Sequence, residues 1–79
     1  MKISVKLLST YRDKLPEGTK GNSCSVEIPE VYKAGDVLKL FDIPNDLSSV
    51  VLINGSSPKE NQLLREGDEV CVFSAMAGG

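Results

Sequence analysis

The chain has no histidine and no tryptophan, and it holds two cysteines, two tyrosines and two phenylalanines in 79 residues. Without histidine, a serine or cysteine nucleophile has no ordinary base beside it, so catalysis by an activated nucleophile is not expected. Cys24 and Cys71 are too few and too far apart for a disulfide scaffold or a zinc site, which needs clustered ligands. They read as small apolar packing or incidental surface, with a redox or sulfur-relay role as the alternative. No apolar run approaches the length that spans a bilayer. The first residues, Met1-Lys2-Ile3-Ser4-Val5-Lys6, break their apolar positions with polar ones, unlike the continuous core of a signal peptide. No membrane partner and a cytoplasmic location are therefore expected. Excess positive charge is also lacking: the formal net charge is −2 and the pI near 5.0, and the aromatics are not interleaved with Lys or Arg, so a nucleic-acid partner is not expected. A glycine-rich phosphate loop is missing as well, and no bound cofactor or metal is predicted.

What is present describes an ordinary folded domain, 41% hydrophobic and 25% charged. Ile3, Val5 and Leu7 alternate with Lys2, Ser4 and Lys6, predicting a first strand over residues 2–8 with one buried face. Pro16, Gly18, Gly21 and Asn22 supply turn geometry. Cys24, Val26 and Ile28 then alternate with Ser23, Ser25 and Glu27, predicting a second strand in a hairpin with the first. Ala34, Val37, Leu38 and Phe41 line one helical face, ended by Pro44. Gly35 in the first turn costs about 1 kcal/mol relative to alanine, so this helix must be held by packing on a sheet. Val50-Val51-Leu52-Ile53 reads as a buried strand running into an Asn54-Gly55 turn. Leu63 to Asp68 reads as a short helical turn closed by Gly67, and Glu69 to Phe73 as the last strand. In that strand Val70 and Val72 face the core, with Cys71 and Phe73 turned outward. The adjacent acids Glu66, Asp68 and Glu69 read as solvated charge or turn chemistry. This order predicts an α+β fold of the β-grasp arrangement. It has a mixed sheet of four to five strands with one main helix across a face, and strand 1 pairs in parallel with the last strand at its centre. Residues 1–74 form the domain and residues 75–79 a C-terminal tail.

The tail closes on Ala77-Gly78-Gly79. Glycine averages about 7% of residues, so two of them end a random chain in roughly half a percent of cases. Lacking Cβ atoms, they form a slim thread able to carry the Gly79 carboxylate into a narrow channel, with Ala77 extending it and Met76 packing along the wall. The bland alternative is a frayed end.

Val51-Leu52-Ile53-Asn54-Gly55, then Leu64-Arg65-Glu66-Gly67-Asp68-Glu69-Val70, then Phe73 and the closing Ala77-Gly78-Gly79, together resemble the MoaD and ThiS sulfur carriers, which are ubiquitin-like proteins. The Phe at Phe73 favours the MoaD type, the small subunit of molybdopterin synthase. Ser74-Ala75-Met76 departs from the two prolines typical there. The resemblance implies a protein that is a substrate rather than a catalyst. An ATP-using adenylyltransferase of the MoeB/ThiF type activates the Gly79 carboxylate, and sulfur displaces AMP to leave a thiocarboxylate. The tail, Met76 to Gly79, then enters a large synthase subunit of the MoaE type and gives its sulfur to a pterin precursor. Phe73 would anchor such a partner and Leu8 would lie in the same patch; alternatively Phe73 caps its own sheet and Leu8 packs a loop. A ThiS-like role in thiazole synthesis, a ubiquitin-like modifier conjugated to lysines, and a plain interaction module are the competing readings.

Overall fold

The computed structural model describes residues 1–75. Four strands, β1 (Lys2–Leu7), β2 (Ser23–Glu27), β3 (Ser49–Ile53) and β4 (Glu69–Ser74), and one helix, α1 (Ala34–Leu40), follow each other in the predicted order. The strands form one sheet in the order β2-β1-β4-β3. β1 pairs antiparallel with β2, from Lys2 opposite Glu27 to Lys6 opposite Ser23. It pairs in parallel with β4, from Ser4 opposite Glu69 to Leu7 opposite Val72. β3 closes the far edge, antiparallel to β4, from Ser49 opposite Ser74 to Ile53 opposite Val70. This is the mixed β-grasp sheet, with four strands among the described residues.

The period-2 pattern explains the packing. Ile3, Val5 and Leu7 from β1 and Val70 and Val72 from β4 are at most 1% exposed. They meet Val37 and Leu38 of α1 in one apolar cluster with Ile28, Ile43, Ile53 and Leu64. Each such side chain, moved from water to the interior, contributes about 1.5–3 kcal/mol, which outweighs the helix penalty of Gly35. The backbone N–H of Lys33 donates to the Asp36 carboxylate (3.0 Å), capping the first turn. The helix stops one residue before Phe41, well ahead of Pro44. Asp42 is left-handed (φ 56°), and the Asp42 and Ile43 amides donate back to Lys39 and Leu38, a Schellman closure with aspartate where glycine is usual.

Two local expectations are revised and one element is added. Residues 63–68 form no helix: Leu63 makes an isolated bridge to Lys33, and a turn follows in which the amide of Asp68 donates to Arg65 while its carboxylate accepts from the Arg65 amide (2.8 Å). Side-chain-to-backbone bonding of that kind competes with helix formation. β3 is not buried on both faces, since Ile53 is buried but Val50, Val51 and Leu52 are partly exposed. A 3-10 helix, Ser9–Lys14, follows β1 and buries Tyr11.

Candidate functional site

β4 is a central strand, so its carboxyl end emerges from the middle of the sheet. That exit is held by both neighbours. The Ala75 amide donates to the Ser48 carbonyl (2.8 Å) and the Leu8 amide to the Val72 carbonyl (3.0 Å). The Ser49 hydroxyl donates to the Pro44 carbonyl (2.7 Å), leaving its oxygen to accept from the Tyr11 hydroxyl (2.7 Å). The 3-10 helix and the loop before β3 are thereby tied together at the end of β4. In that loop Asp46 accepts from both the hydroxyl and the amide of Ser48, which together hold its carboxyl below the usual range. Leu47, between them, is 97% exposed.

The face of the sheet turned away from α1 is the second feature. Register places Val50 opposite Phe73 and Leu52 opposite Cys71, and Lys6 opposite Cys71 on the other side. Directly opposed residues share a face, and the Leu8 amide bond carries β1's line on beside Phe73. Leu8, Val50, Leu52, Cys71 and Phe73 are each partly exposed. They form an apolar strip across β1, β4 and β3 that reaches the root of the tail. Leu8 and Phe73 are thus brought to one place. Val50 and Leu52 were missed as members because Val50 to Ile53 reads as one apolar run, and the face of each residue appears only with the β3–β4 register. Met76, Ala77, Gly78 and Gly79, the remaining candidate site residues, lie outside the described residues.

The thiols separate by face. Cys24 is partly buried against the core, whereas Cys71 sits in the open strip. Desolvation raises both thiols above the ordinary value, and the Lys6 ammonium partly offsets this at Cys71.

The two turn motifs bond to each other, at the opposite end of β4 from the tail. Asn54 and Gly55 both have positive φ (52° and 84°), the geometry of a two-residue hairpin that Asn-Gly favours. The Asn54 side chain donates to Asp68 (2.9 Å) and accepts from the Glu69 amide (2.9 Å). The Glu66 carboxylate accepts from the Lys2 amide (2.8 Å), and the Gly67 amide donates to the Lys2 carbonyl (2.8 Å). These residues lock β1, β3 and β4 in register, so the Glu66 and Asp68 carboxylates are turn chemistry.

The sequence profile of the ThiS family matches residues 5–79. The chain belongs to the ThiS family. Among solved structures, SAMP1 from Haloferax volcanii superposes with a TM-score of 0.75 at 19% identity, covering 100% of both chains. A Pyrococcus furiosus protein described as molybdopterin converting factor, subunit 1, superposes with a TM-score of 0.71 at 21% identity, covering 92% of this chain and 95% of that one. At these identities the two share the fold with this ThiS-family chain. No curated protein matches it at a significant level. No helix among the described residues is long and apolar enough to cross a membrane.

Proposed function

We propose that this ThiS-family protein carries sulfur as a thiocarboxylate on Gly79 and donates it to a pterin precursor of the molybdenum or tungsten cofactor. The observation that carries the reading is the family match, which runs from β1 to Gly79. It is supported by the exit of β4 beside an apolar strip containing Leu8 and Phe73. The chemistry asks little of the domain itself. An adenylyltransferase partner attaches AMP from ATP to the Gly79 carboxylate, with release of pyrophosphate. Sulfide then attacks the acyl carbon and AMP leaves, giving the thiocarboxylate. The protein's part is to present the end: Phe73 and Leu8 dock the partner, and Met76, Ala77 and Gly78 thread its channel. A large synthase subunit takes the same strip when the sulfur is delivered, so loading and delivery exclude each other in time.

The test is to incubate the full chain with the adenylyltransferase, ATP and sulfide and to follow intact mass. Replacement of one oxygen by sulfur, lost on deletion of Gly79, is expected. A terminus that stays unmodified, or covalent adducts on lysines that survive denaturation and reduction, would move the assignment to an interaction module or to a protein modifier.

A further inference from the structure

A groove of about 320 Å³ runs between α1, the outer edge of β3 and the segment 58–62. Three lysines, Lys33, Lys39 and Lys59, line it, with Asp36 as the one acid. The Asp36 carboxylate is already engaged by the Lys33 amide (3.0 Å). The groove is therefore positive in a chain whose net charge is −2. Lys33 is held at the wall by its Nζ, which donates to Asn61 Oδ1 (3.0 Å).

Among the described residues, the strand edge beneath the lysines has one residue with both backbone groups unpaired. The bonds from Ala75 to Ser48 and from Asn54 to Glu69 fix the alternation along β3, so Val50 and Leu52 exchange backbone bonds with β4 while Ser49, Val51 and Ile53 turn theirs to the edge. The Ser49 amide is satisfied by Asp46, and Ile53 bonds in both directions with Ser56. Val51 lies between them, lines the groove, and has no strand beyond it in the sheet. Its N–H and C=O are a donor and an acceptor ready for an extended chain.

We propose that this groove receives an extended acidic segment of a partner protein, added as a further strand along β3. The edge N–H and C=O of Val51 bond the incoming backbone. Side chains alternate along a strand. Those turned toward α1 meet Lys33, Lys39 and Lys59 and are acidic, and those turned the other way continue the apolar strip at Val50 and Leu52 and are apolar. The occupant is an alternating acidic-apolar peptide, chosen by charge complementarity and by the strip it extends. The inference does not depend on the chemistry proposed for the tail.

A short fluorescein-labelled peptide alternating valine and glutamate, titrated into the full chain, tests it by anisotropy, with amide exchange read by NMR. Saturable binding that weakens with salt is expected, together with slowed exchange at the Val51 amide. Reversing the three exposed lysines to glutamate should weaken binding by at least about tenfold. Val51→Pro removes an amide that β4 does not use, which an edge strand tolerates, and should weaken binding similarly with the circular dichroism unchanged. If that variant loses its fold, the lysine reversals still decide the question. Absence of binding, equal binding of a valine-lysine peptide, or protection confined to the β2 edge would overturn the proposal.

Discussion

The two faces of the sheet are built from the same kinds of residue and are used differently. On the face under α1, Val5, Leu7, Val70 and Val72 are fully excluded from solvent, as is Val37 of the helix packed on them. On the other, turned away from α1, Leu8, Val50, Leu52, Cys71 and Phe73 remain partly exposed. A small domain gains most of its stability from one well-filled face, and the apolar strip beyond that requirement is the surface proposed to take the partner. The proposed function assigns the first set to folding and the second to a partner, and substitution can test that division.

The largest effect should come from the covered face. Leu38→Ala removes a side chain that is 1% exposed and should cost about 2–5 kcal/mol in urea unfolding, a large share of the stability of so small a domain. Loss of much less than this would mean that the core is not where the packing places it. On the open face Phe73→Ala should do the reverse. Unfolding free energy should change by less than about 1 kcal/mol, while affinity for the adenylyltransferase falls about 30-fold, the loss typical of a central aromatic anchor. A variant that unfolds but binds would erase the distinction between the faces. Next is the turn lock: Asn54→Ala breaks bonds to Asp68 and the Glu69 amide and should cost about 1–2 kcal/mol without altering partner affinity. The smallest effect concerns the thiols. Both are raised by desolvation, so at pH 7 each should react with a disulfide reagent more slowly than free cysteine, because the thiolate is the reactive form. Bound partner should slow Cys71 further and leave Cys24 unchanged; equal protection of both would place the partner elsewhere.

Much of this arrangement was legible in the residues. The alternation of Lys2 to Leu7 and of Glu69 to Phe73, and the Asn54-Gly55 turn, are strong local signals, because period-2 burial and positive φ each demand particular residue types. The family resemblance rested partly on Asn54-Gly55 and Gly67-Asp68, and the structure gives a physical reason for their joint presence: they bond each other and hold three strands in register. The failures were of two kinds. Leu63 to Asp68 offers paired leucines and a closing glycine, which suit a helical turn, but backbone bonding by Asp68 and the bridge to Lys33 decide otherwise. The 3-10 helix is too short to show a period, and the hydroxyl of its buried Tyr11 is bonded to Ser49, far away in the chain. The open strip failed differently: Leu8 and Phe73 were readable from alternation within their own strands, whereas Val50 and Leu52 required the register between two strands.

The central claim is that this domain exists to present Gly79 as a sulfur donor. The most direct measurement is the mass of the C-terminal peptide from protein isolated from its own cells under gentle, nonreducing conditions. The account predicts a fraction in which one oxygen is replaced by sulfur, assigned to Gly79 by fragmentation. A terminus found only as the unmodified carboxylate, in cells actively making the cofactor, would contradict it.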